Sequence, residues 1–228
     1  MELFLQQLIN GLSLGSIYAL IALGYTMVYG IINLINFAHG EIYMVGAYVG
    51  FALTTFWNLG FFPALIISML VCSLLGMLIE KVAYKPMRNS TRIAALITAI
   101  SVSLFLQYTM MYFAKPDTRT FPDLITNKKL SFLNGSILLD IKNVYIVLIT
   151  VILMVALQYV VHRTRIGKAM RAVSIDKEAA ELMGINVNQV ISFTFAIGSA
   201  LAGAAGVLVG VYYNTINPLM GATPGLKA

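Results

Sequence analysis

The chain has 228 residues, of which 59% are hydrophobic and only 11% charged, and its net charge is +6. Soluble domains carry roughly 25% charged residues, so this composition excludes an ordinary soluble protein and implies an integral membrane one. The basic excess lies in loops beside apolar runs, where it orients the chain and meets anionic membrane lipid, and it needs no nucleic acid to explain it.

Met1-Glu2 opens straight into an uncharged stretch with no basic segment before it, which argues against a cleaved signal peptide. Leu3–Ala38 holds no charge and is too long for one perpendicular crossing of about 20 residues. The pattern predicts a helix from about Leu5 to Tyr29, then a break or re-entrant half-helix through Asn33 and Asn36 to Gly40. Glu41–Trp57 predicts a second, rather short span, Phe61–Ile79 a third and Ile93–Phe113 a fourth. Val144–Val161 and Val190–Tyr213 predict a fifth and a sixth. None has the polar face that a soluble helix needs. The expected fold is an all-α polytopic transmembrane bundle of about six spans, one membrane domain over residues 1–228. Small residues recur every four positions at Gly11, Gly15 and Ala19, at Gly46 and Gly50, and at Ala202, Gly206 and Gly210, which predicts close helix contacts.

The loop Glu80–Arg92 carries Lys81, Lys85, Arg88 and Arg92, and a second basic insert follows two spans later. Two crossings put both on one side, and their basic density makes that side cytoplasmic. Residues 114–143 and the N-terminus then lie outside, with Asn134-Gly135 as the turn of a small hairpin.

Polar groups at membrane depth crowd into Asn33-Leu-Ile-Asn-Phe-Ala-His-Gly-Glu41. Asn33, Asn36, His39 and Glu41 face a cavity, water or one another, or else the segment reaches the headgroups and is wetted there; the residues alone weigh these evenly. Thr98, Ser101, Ser103 and Gln107 on the fourth span, and Ser192, Thr194 and Ser199 on the last, are more simply satisfied by their own helices. One cysteine, Cys72, and two histidines, His39 and His162, make neither a metal site nor a nucleophilic triad, and no cofactor is expected. A P-loop is absent, because Ala169 follows Gly167-Lys168. A transport subunit powered by a separate protein is the economical reading.

The insert His162–Gln189 reads as two short amphipathic helices. Ile166, Met170 and Val173 share one face of the first, and Ala179, Leu182 and Met183 one face of the second. Gly184 is placed to end the second in a left-handed cap, with Ile185 folding back. Helices this short need a partner for their apolar faces, either the lipid interface or another protein.

Gly11-Leu-Ser-Leu-Gly-Ser-Ile-Tyr-Ala-Leu-Ile-Ala-Leu-Gly-Tyr-Thr-Met-Val-Tyr-Gly30, running into Ile35-Asn-Phe-Ala-His-Gly-Glu41, resembles the opening of the bacterial branched-chain amino-acid ABC permeases of LivH type. Glu80–Arg88, the insert motifs Gly167–Ala172 and Ala179–Asn186, and Asn217-Pro…Gly225–Ala228 are similar to later family segments. The resemblance implies a heteromeric importer in the bacterial cytoplasmic (inner) membrane. Two cytoplasmic ATPase subunits drive a pore built from this permease and a homologous second one, and an extracytoplasmic substrate-binding protein delivers the solute. Asn33, Asn36, His39 and Glu41 would lie near the translocation path. The insert would seat on the ATPase through Gly167, Ala169, Arg171, Ala172, Asp176, Ala179, Leu182 and Gly184. Leucine, isoleucine and valine are the implied solutes, with urea and short amides carried by relatives. Family permeases continue past the point matching Lys227-Ala228, so the C-terminal segments are expected to be missing. The alternative is an ATP-independent channel or secondary carrier for a small polar solute such as urea, with Asn33–Glu41 as its own gate.

Overall fold

Lipid offers no hydrogen bonds to a backbone, so an apolar run at membrane depth must satisfy its amides within a helix. In the computed structural model, which describes all residues except 1, 33–34, 89, 126–128, 133–136 and 228, every long apolar run does so. Helices α1 (Glu2–Ile32), α2 (Ala38–Phe56) and α3 (Phe61–Ile79) come first. A π-turn at Glu80–Tyr84 carries α3 directly into the short α4 (Lys85–Met87). Helices α5 (Arg92–Ala114) and α6 (Ile141–Arg163) flank an outer segment with strands β1 (Arg119–Thr120), β2 (Lys129–Phe132) and β3 (Ile137–Asp140). The insert forms α7 (Arg165–Ile175) and α8 (Lys177–Leu182), and α9 (Val187–Tyr213), β4 (Thr215–Ile216) and α10 (Ala222–Lys227) complete the order.

Among the described residues, five helices are long and apolar enough to cross a membrane, which are α1, α3 with its π extension, α5, α6 and α9. The expected sixth span is α2, and it differs. It carries His39 and Glu41 in its first turn and starts deep in the bundle, beside the middles of α1 and α9. A Cβ built on Gly24 would lie 2.9 Å from the His39 ring and 2.8 Å from the carbonyl oxygen of Gly198. From there α2 runs outward alongside α9, Gly46 against Gly203 and Gly50 against Val207. The expected break is thus a short connector after Ile32, and the first helix is longer than its apolar pattern suggested.

Helix α9 is the hub, buried along nearly its whole length by α1, α2 and α3. The small-residue ridges explain how. Gly206 meets the backbone of Tyr43 and Ala47, Gly203 meets Cys72 of α3, and Gly76 of α3 leaves room for Ser199. Ser68 adds a hydrogen bond, donating from its hydroxyl to the Gly46 carbonyl at 2.7 Å. The third ridge behaves otherwise: nothing lies within 4 Å of a Cβ at Gly11 or Gly15, so this face of α1 is open.

The two ends of the bundle separate as the loop charges predict. At one end β1 pairs with β4 antiparallel, and Lys142 donates to Asp123 at 2.8 Å and to Asn214 at 3.1 Å. β2 and β3 form the expected hairpin with Phe132 opposite Ile137; its turn Asn134-Gly135 lies outside the described residues. At the other end lie the close of α1, the π-turn, the start of α9 and the insert.

Candidate functional site

The sequence singled out a polar stretch beside α1, and three of its four members are buried in the bundle, each against a different partner. Asn36 is buried, and its Oδ1 accepts a 2.8 Å hydrogen bond from the Tyr84 hydroxyl. His39 is fully buried against the edge of the Tyr25 ring, with centroids 6.0 Å apart. Glu41 is 2% exposed, and its Oε1 accepts from the Ser103 hydroxyl at 3.4 Å. Asn33 lies outside the described residues. The reading in which headgroups wet His39 and Glu41 does not hold, since both are enclosed by protein. Neither the Asn36 Nδ2 nor the Glu41 Oε2 has a hydrogen-bond partner among the described residues.

Beside Glu41 is a cavity of about 340 Å³. Phe37, Ile100 and Leu104 give it apolar walls, Ser103 and Gln107 add neutral polar groups, and Gly221 with the start of α10 closes one side. This segment folds back from β4 to lie on Gly40, backbone against backbone. No group of three or more metal-ligating side chains occurs among the described residues.

Beneath this site, at the end that carries the insert, a second polar cluster escaped the sequence. Glu80, placed in a loop by its charge, sits in the π-turn and is 1% exposed. Its two oxygens accept from the Arg88 guanidinium and from the Ser192 hydroxyl, the latter at 2.6 Å. Arg88 also donates to Asn188 of α9. The cluster therefore ties α3 to α9. Ser103 and Ser192 thus reach carboxylates rather than their own helices, whereas Thr98, Ser101 and Thr194 do bond back to their own helix. The signal for Glu80 would have been a carboxylate eight residues before an arginine on one continuous helix, hidden by treating the segment as a connection.

The insert is a rigid, capped element. Thr164 accepts from the Gly167 amide at 3.0 Å, Asp176 from the Ala179 amide at 3.0 Å and Asn186 from the Gln189 amide at 3.1 Å, so each helix begins on a side-chain cap. Gly184, at φ 82°, ends α8 as predicted. The Ile185 amide bonds back to Ala180 at 3.0 Å and the Gly184 amide to Glu181 at 2.9 Å.

Met170 and Val173 of the predicted α7 face are buried, against this chain's own spans, and Ile166 at the start of the helix is 38% exposed. Gly167 abuts the carbonyls of Val160 and Val161, a close approach that a side chain would block. Arg171 bonds the Val161 carbonyl, and Ala169 and Ala172 pack toward the core. Of these four, Gly167 is buried and Ala169, Arg171 and Ala172 are half-buried. Asp176, Ala179, Leu182 and Gly184 stay outward, and Leu182 and Met183 are 89% and 83% exposed. Lys177, at the start of α8, donates from Nζ to the carbonyl of Ile32 at 3.3 Å. Burial, and then the nearby Arg88 charge, hold its ammonium below the usual lysine range.

A family model described as the permease component of the branched-chain amino acid transport system matches residues 7–228. The chain is 45% identical to the high-affinity branched-chain amino acid transport system permease protein LivH of Escherichia coli K12, over 99% of this chain and 76% of that protein. It is 43% identical to BraD of Pseudomonas aeruginosa, which bears the same description, with the same coverage. More distantly, it is 25% identical to the ribose import permease protein RbsC of Haemophilus influenzae, over 97% of this chain and 66% of that one. No solved structure matches.

Proposed function

Because the chain belongs to the branched-chain amino acid transport permease family, we propose that it is the membrane-spanning permease subunit of an importer of branched-chain amino acids, a multi-pass protein of the cytoplasmic membrane. The observation that carries this reading is the match along nearly the whole chain, including the polar stretch and the insert. The distant likeness to a ribose permease marks the scaffold as one that serves more than one solute class, so the solute rests on the nearer relatives. The ATP-independent channel or carrier is not favoured.

The finer reading concerns partners and path. Hydrolysis comes from two cytoplasmic ATPase subunits, a homologous second permease completes the pore, and an extracytoplasmic binding protein supplies the amino acid. The segment from Asn36 to Glu41, with Asn33 before it, borders the translocation path. Enclosed polar groups without partners, at the start of a helix that begins at membrane depth, support this. Helix α8 seats in the ATPase through Ala179, Leu182, Met183 and Gly184. Its exposed apolar face next to a rigid cap supports that contact.

The test is Ala179→Arg in the assembled transporter. A long cation forced into a packed contact costs about 3–5 kcal/mol when its charge is buried unpaired. Uptake and substrate-stimulated ATP hydrolysis should fall together, with normal membrane insertion. Full coupling in the variant would leave α8 as a lipid-interface helix.

A further inference from the structure

A groove of about 200 Å³ lies at the end of the bundle that carries the insert, between α1, α6 and α7. Met27 and Ile31 of α1, Val161 of α6 and Met170 of α7 give it an apolar floor. Thr26, Gly30 and Ser174 on its rim are exposed, so it opens outward from the bundle. Both α1 and α6 finish here, which puts the groove where hydrocarbon gives way to headgroups. Tyr29 and Tyr159, exposed near the same two helix ends, are of the residue type that favours that level.

Among the described residues that line the groove, Arg171 alone is charged. Its guanidinium donates to the Val161 carbonyl in the last turn of α6, which holds it in place. A guanidinium has more donors than this bond uses, and no carboxylate pairs with Arg171 among the described residues. The hydroxyls of Thr26 and Ser174 already donate to carbonyls of their own helices, so Arg171 is the donor left for a ligand. No acidic residue occurs between Asp140 and Asp176, while Arg163, Arg165 and Lys168 add exposed cations along that stretch. Nothing lies within 4 Å of a Cβ at Gly30, so a hydrocarbon chain can lie directly on the α1 backbone.

We infer that this groove is a site for an anionic phospholipid. The phosphate oxygens accept from Arg171, and the hydrocarbon beneath them covers Met27, Ile31 and Val161. A soluble anion would leave that floor bare, and a zwitterionic lipid brings its own cation beside the arginine. The bound lipid fastens α7, the first helix of the insert, to the ends of α1 and α6.

The experiment uses the full chain in phosphatidylcholine vesicles, with Trp57→Phe and Tyr29→Trp leaving a single tryptophan next to Gly30. Its fluorescence quenching is read as dibrominated phosphatidylglycerol or dibrominated phosphatidylcholine replaces the host lipid. The brominated phosphatidylglycerol should compete for the site about fivefold better, the scale of one cation against an anionic headgroup. Arg171→Gln should erase that preference while quenching by brominated phosphatidylcholine persists, and Arg171→Lys should keep part of it. Ser174→Glu, which sets a carboxylate on the exposed rim, should erase it too and decides the matter if Arg171→Gln fails to insert. Arg165→Gln, which removes a cation outside the lining, should leave the preference in place. Equal quenching by the two lipids, or a preference that survives Ser174→Glu or an inserted Arg171→Gln, overturns the assignment. A preference lost equally in Arg165→Gln makes the attraction a diffuse one and overturns it as well. So does a groove that neither lipid quenches, because protein then covers it. Loss of the preference in inorganic phosphate, but not in sodium chloride of equal ionic strength, gives Arg171 to a free anion and also overturns it.

Discussion

A methyl group on Gly40 would run into the carbonyl oxygen of Gly221 and lie 2.8 Å from the Gly225 Cα. This one position lets Gly221 and the start of α10 reach the first turn of α2 and close the cavity beside Glu41. Overpacking of this kind costs about 1–3 kcal/mol, and here the neighbours are backbone and cannot swing aside. Gly40→Ala should lower both the melting temperature of the transporter and its uptake. Gly60→Ala, with nothing within 4 Å of the added atom, should leave both unchanged. An unaltered Gly40→Ala protein would mean that this segment is not held where the structure has it. That Asn36, His39 and Glu41 needed either enclosure or headgroups was legible, because ionisable and amide groups inside an apolar run are costly, and the structure encloses them. Their partners were not. Tyr84 is 48 positions from Asn36 and Ser103 is 62 from Glu41, and nothing local in the chain announces either contact.

At the scale of elements, periodicity located the spans and both helices of the insert, and the Gly184 cap followed from backbone geometry alone. What the α7 face packs against did not follow, because an apolar count treats glycine as neutral while the missing side chain at Gly167 lets this helix lie close on the end of α6. The depth of α2 was equally hidden, since a half-helix and a short span share one composition. Between these elements runs a link that the sequence left unread. Lys177 opens the exposed helix α8 and holds a terminal carbonyl of α1, just before the connector to His39 and Glu41. Cations at a helix C-terminus contribute about 0.3–1 kcal/mol, enough to join two elements without locking them. Lys177→Met should leave docking and basal ATP hydrolysis intact but lower the amino acid imported per ATP, and Lys177→Arg should restore part of it. A normal transport ratio in Lys177→Met would reduce the contact to a helix cap.

For the whole molecule, contacts put the insert, the π-turn and the close of α1 at one end and the β1–β4 pair at the other. The basic loops assign the first end to the cytoplasm. A cysteine at Thr118 should therefore react with an impermeant thiol reagent in intact cells, and one at Ser174, also exposed, should react only after the membrane is opened. The reverse pattern would invert the orientation.

The central place of α9 also sets an order in time. Helices α1, α2 and α3 make their closest contacts with a partner that the ribosome produces well after all three. At about 5–20 residues per second, on the order of ten seconds separates the completion of α1 from the appearance of Val187. During that interval Gly46, Ser68, Cys72 and Gly76 face lipid or a holding factor instead of α9. A nascent chain stalled before Val187 is thus an inserted set of helices without its axle.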